Sequence, residues 1–97
     1  MIYWLHPEAE QDIADALDFY KNRAGTVVAA RFLDEFERVA ALLSDNPGLG
    51  TPATNGRKTF PLRFFPYTLV YRPLEGCIRI LVVRHQRRKP GYAAGRQ

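Results

Sequence analysis

The chain has 97 residues with a formal net charge of +4, and 46% of its residues are hydrophobic. That length suits one thin-cored domain and excludes two. A single cysteine, Cys77, excludes a disulfide framework and a cysteine-based metal site.

No internal repeat and no low-complexity segment is visible. No apolar run reaches the roughly 18 residues of a membrane span, and no signal-peptide pattern opens the chain, so a cytoplasmic protein with no membrane partner is expected. The charge is divided. Residues 1–48 carry four basic and nine acidic side chains, net −5, whereas residues 49–97 carry ten basic side chains and only Glu75, net +9. A half that basic attracts phosphate backbones or acidic protein segments.

Ile2–Leu5 reads as a short strand, with Trp4 expected to pack. Pro7 suits a helix's first position, and acids follow it in the first turns. Ala9, Ile13, Ala16, Leu17 and Tyr20 recur at helical spacing, which predicts a helix over about 7–23 that ends before Gly25. Thr26 is the expected cap of a second helix over about 27–44, with Val28, Phe32, Phe36, Val39, Ala40 and Leu43 as its buried stripe. Asn46-Pro47-Gly48 closes it, and residues 46–56 read as a loop. Strands are predicted over about 57–64, with Pro61 marking an edge or bulge, and over 67–72. Pro73–Gly76 is a turn. Residues 77–84 form the last strand, apolar on both faces and therefore central, with Cys77 as a small apolar member. Residues 85–97 are a basic tail.

The order β-α-α-β-β-β predicts an α+β fold: an N-terminal strand, then a helical hairpin packed on one face of a small antiparallel C-terminal sheet. The other face is expected to carry Arg79 with Arg63, Arg72 and His85. Tyr67 and Tyr71 share one face as core or interface aromatics. His85 is read as a strand-ending structural residue, with a general acid or base role as its alternative.

Several segments carry a family resemblance. Phe65-Pro66-Tyr67-Thr68-Leu69-Val70-Tyr71-Arg72 resembles the FPY strand of RelE/ParE toxins. Ile78 through Tyr92, ending His85-Gln86-Arg87-Arg88-Lys89-Pro90-Gly91-Tyr92, resembles that superfamily's last strand and its basic ending. Ala9, Asp12, Ile13, Phe19 and Tyr20 resemble its first helix, and Leu43, Pro47, Gly48 and Gly50 the loop after its second. The match spans nearly the whole chain, residues 1–97, as a single toxin domain.

The resemblance implies the toxin half of a bacterial type II toxin–antitoxin system, neutralised by a co-encoded antitoxin whose acidic C-terminal segment wraps it, in a possible hetero-tetramer. Two mechanisms follow. ParE-like members poison DNA gyrase without a catalytic act, and RelE-like members cleave mRNA on the ribosome. For a nuclease the candidate residues are Arg63, His85, Arg87, Arg88 and Tyr92. Relatives of that kind carry cations where this chain has Thr59, Pro61 and Thr68, which supply no positive charge, so the phosphate-stabilising set is depleted. The details look closer to ParE. For binding the target or antitoxin the candidates are Arg57, Lys58, Arg63, Arg72, Arg79, Arg84, Arg87, Arg88, Lys89 and Tyr92. No metal or cofactor is expected.

Overall fold

A computed structural model describes residues 3–87. β1 (Tyr3–Leu5) leads through His6 into α1 (Pro7–Ala24), and α2 (Thr26–Asp45) follows after one residue. β2 (Thr51–Pro52), a 3-10 turn (Thr54–Gly56), β3 (Lys58–Pro61), β4 (Tyr67–Leu74) and β5 (Cys77–His85) complete the order. The expected elements are present, with the short β2 and the 3-10 turn added inside the predicted loop; β3 stops at Pro61 rather than 64, and β4 runs on through Pro73 and Leu74, leaving only Glu75 and Gly76 to turn.

The helix ends follow local chemistry. His6 Nδ1 accepts the Glu8 N–H at 3.1 Å, and Pro7 occupies the first turn, where an N–H would lack a partner. Gly25, at φ 93°, both ends α1 and precedes α2, a backbone geometry that favours glycine. Thr26, expected as the cap, is already the first residue of α2, and no side chain caps that helix. Gly25 turns the chain so sharply that no residue is left between the helices for a capping side chain.

The strands form one sheet in the order β1-β5-β4-β3-β2. β1 lies parallel to β5 and the other pairs are antiparallel. The helices cover one face, burying Ala9, Ile13, Ala16, Phe32, Phe36, Val39, Ala40 and Leu43 against Leu69, Tyr71, Ile78, Ile80 and Val83. Ala29, not Val28, is the fully buried residue at the start of the α2 stripe. A register shift between Val70 and Tyr71 is a bulge that opposes Tyr71 to Ile80 and Val70 to Val82. It lets Ile80 and Val83 face the helices while Leu81 and Val82 join Val70 in a second cluster. The expected central, two-sided β5 is therefore correct.

Trp4 does not pack in the core. Its partner in the register is Arg79, it faces away from the helices, and it is 60% exposed.

Tyr71 shows how the loop after α2 is held. Its hydroxyl donates to the Pro47 carbonyl at 2.8 Å and accepts the Gly50 N–H at 3.0 Å, inside the core. A Cβ on Gly50 would lie 2.6 Å from that hydroxyl and 2.8 Å from the Thr59 carbonyl oxygen, so this glycine is required by contact. Tyr71→Phe would strand two buried polar groups and lower stability by about 1–3 kcal/mol. Gly50→Ala is expected to destabilise too, because backbone cannot yield as a flexible side chain can. Thermal melts check both, at roughly 4–8 °C per kcal/mol for a domain of this size.

Candidate functional site

The register sorts the candidate residues by face. Arg72 opposes Arg79, and Thr68 opposes Arg84, on the sheet face turned away from the helices. Arg57 has extended backbone just before β3, where one further step of the register sets it beside Arg72, and it is buried. Lys58 opposes Tyr71 and so falls on the helix side.

Two expected members of the open face lie elsewhere. His85 opposes Tyr67 on the helix side, its ring edge-on at 5.2 Å, and its Nδ1 accepts the Arg87 N–H at 3.1 Å. Because the bulge in β5 adds one residue, simple alternation counted from Arg79 puts His85 on the wrong face. Arg63 stands in the β3–β4 loop beside α2, where its N–H donates to Glu35 Oε2 at 2.6 Å. Proline at 61 and at 66 keeps that loop out of the ladder, so strand alternation does not apply to it. Arg88, Lys89 and Tyr92 lie outside the described residues.

The three positions that bear on nuclease chemistry converge. Pro61 opposes Thr68, and Thr59 opposes Val70, all on the open face. His85 is on the opposite side. Of the candidate nuclease residues, His85 stands with Arg87 on the helix side, apart from Thr59, Pro61 and Thr68. Burial raises the Tyr71 and Tyr20 hydroxyls above their ordinary range, away from a role as bases near neutral pH. Among the described residues no cluster of His, Cys, Asp or Glu could hold a metal ion.

Two clefts flank the helices. One, of about 390 Å³, is lined by Asp12, Asp15, Phe19, Tyr67, His85 and Arg87. Asp12 also accepts the Val83 N–H at 3.0 Å, which ties α1 to β5 beyond the end of β1. The other, of about 610 Å³, lies between α2 and the β3–β4 loop, with Val28, Arg31, Arg38, Phe64 and Phe65 on its wall. Here Glu35 takes a two-pronged bond from Arg38, at 2.7 and 2.8 Å, besides the Arg63 N–H. This grip holds the loop so that Phe65 packs on Tyr20 and Phe32 while Phe64 is 96% exposed at φ 66°. A bulky residue in the left-handed region is strained, and surrounding structure must maintain it.

Sequence reading missed Phe64 and Glu35. The only signal was Phe64-Phe65-Pro66, a pair of aromatics before a proline, which does not say which of the two turns outward.

The profile of the family described as "ParE toxin of type II toxin-antitoxin system, parDE" matches residues 3–90. The chain belongs to the ParE toxin family. A solved structure titled "Chromosomal ParDE TA system from P. aeruginosa" is similar in fold, with a TM-score of 0.76 and 23% identity over 88% of this chain and 95% of that one. No curated protein matches. Membership of the ParE family agrees with the resemblance read from the FPY strand and the first helix. The open sheet face and the Phe64 loop are thus features of a ParE-family toxin.

The Arg38 hydrogen bond, followed by the Arg63 N–H, holds the Glu35 carboxyl below its ordinary value of 4.5 despite partial burial. A lowered folded value means that the stabilisation is complete above 4.5 and is lost as pH falls through the folded value. Arg38 is 40% exposed, so solvent screening limits the contribution to about 1 kcal/mol. Glu35→Gln should therefore destabilise the protein at neutral pH, and the gap from native should close on acidification. Denaturant titrations across that range measure it.

Proposed function

We propose that the chain is a cytoplasmic growth inhibitor that poisons DNA gyrase by binding rather than by catalysis. A co-encoded antitoxin neutralises it, its acidic C-terminal segment covering basic surface of the toxin in a two-plus-two assembly. The observation that carries the non-enzymatic reading is the open face itself. Thr59, Pro61 and Thr68 supply no charge there, and His85 lies across the sheet against Tyr67. Phosphate cleavage needs preorganised positive charge around the developing anion, and these positions offer no cation. Family membership and the titled ParDE relative support an antitoxin partner. The net +9 of residues 49–97 suits an acidic, folding-on-binding segment.

Binding poisons need exposed anchors, and Phe64 has the character of one. It is large, fully presented and held in place by its loop. The candidate contact set joins it to Arg63 and Arg87, with Arg84 on the open face.

The deciding experiment incubates the purified toxin with gyrase and plasmid, and separately with programmed ribosomes. Cleaved or unsupercoiled plasmid with intact mRNA is the expected result. Cut mRNA with normal supercoiling would overturn the reading. Phe64→Gly tests the anchor. Glycine tolerates the positive φ, so stability should hold or rise by up to about 1 kcal/mol, while growth inhibition should weaken. Unchanged killing at equal protein levels would remove Phe64 from the target surface.

A further inference from the structure

Trp4, Arg79 and Arg72 stand in one row across β1, β5 and β4, on the open face. Neighbouring strands lie about 4.8 Å apart, so the two guanidinium stems start at nearly that spacing. Like charges placed directly opposite one another destabilise a sheet. Neither arginine is opposed by a carboxylate in the register, and the Arg79 and Arg72 side chains face each other across the β5–β4 pair. Arg72 is steadied by the Asn55 carbonyl, and Gly56 leaves room for it, since a Cβ there would come within 3.0 Å of its Nη1. The Arg79 Nε is buried without a hydrogen-bond partner among the described residues. Such an atom carries a desolvation cost that an acceptor would relieve.

Beside this unbalanced pair stands a largely exposed aromatic. Trp4 is 60% exposed, and the cation–π contact among the described residues is Arg23 over Phe19. Val70, Leu81 and Val82 form a buried apolar cluster on the same face. The row therefore sets the Arg79 and Arg72 charges next to an exposed indole, with Arg57 on the far side of Arg72.

We propose that this row binds a nucleotide unit, its phosphate bridging Arg79 and Arg72 and its base stacked on Trp4. Paired guanidinium groups suit phosphate oxygens, and an indole stacks any base without regard to sequence. A carboxylate-rich peptide would use the charges and leave the indole idle. The row lies toward the β4–β5 turn, several rungs from the Thr68–Arg84 pair. The site goes beyond the proposed function, and its test involves neither gyrase nor ribosome.

Trp4 is the only tryptophan in the chain, so its fluorescence reports on the site directly. The full-length protein is titrated at low salt with inorganic phosphate, adenosine monophosphate, a short oligothymidylate and a poly-glutamate peptide. Saturable quenching by the nucleotide and the oligonucleotide is expected, with phosphate competing but not quenching. Tighter binding of the oligonucleotide identifies a single strand as the source, and equal or tighter binding of the mononucleotide identifies a free nucleotide. For the strand, log affinity should fall with log salt at roughly −0.7 per phosphate contacted.

Arg79→Gln should weaken binding about tenfold, the scale of one charge-assisted hydrogen bond. It should also hold or raise the thermal midpoint, because it removes the opposed charge; a purely structural arginine would lower it. Arg79→Lys keeps the charge without Nε or the planar fork and should bind with intermediate affinity. Absence of quenching by nucleotide and oligonucleotide overturns the proposal, as does quenching by poly-glutamate alone. Native affinity in both Arg79 variants overturns it equally.

Discussion

The bulge in β5 is the constraint on which the rest of the molecule turns. A strictly alternating strand would send Ile80 and Val82 one way and Leu81 and Val83 the other. The shift opposite Val70 and Tyr71 instead gives Ile80 and Val83 to the helices and Leu81 and Val82 to the far side. β5 can then sit between β1 and β4 with apolar contacts on both faces. Its outer edge is completed from two sides, by the His6 N–H on the Ile80 carbonyl and by the Asp12 carboxylate on the Val83 N–H. The N-terminal strand and helix are thereby fastened to the C-terminal strand, which closes the fold across nearly its whole described length.

This arrangement puts the helices on one face and leaves charge on the other. Arg72, Arg79 and Arg84 share the open face because the register of β4 and β5 puts them there. A sheet that opposes two arginines without a carboxylate gives up some stability. Natural sheets accept that where an anionic ligand or partner relieves the repulsion. The same register removes His85 to the helix side, where Tyr67 and the Arg87 N–H occupy it. The basic side chains of the open face thus attract anions, while His85 lies with Arg87 on the other side.

The β3–β4 loop carries a second kind of recognition. One carboxylate, Glu35, bonds two groups from different parts of the chain, Arg38 on its own helix and the Arg63 backbone in the loop. Phe65 is drawn into the aromatic cluster with Tyr20 and Phe32, and Phe64 is turned out by the same backbone path. Strain in Phe64 and burial of Phe65 are one event seen from two sides, since the first residue's φ is what lets the second pack. The loop thus presents one aromatic to solvent while it buries the next.

Local pattern alone was enough for the element order, the helical stripes and the central place of β5. Each rests on spacing or composition within a few residues: apolar residues every three or four positions in α1 and α2, or the unbroken Ile80-Leu81-Val82-Val83 run. The FPY strand and the basic ending also disclosed the family. The sequence did not disclose the parallel pairing of β1, the bulge, the exposure of Trp4, the side of the sheet taken by His85, or the protrusion of Phe64. These are decided by partners distant in the chain, such as Val70 for Leu81 and Val82, Arg79 for Trp4, and Glu35 for the Phe64 loop. Periodicity records which residues alternate; only the packed register decides which face each set receives, and a single inserted residue reverses every assignment beyond it.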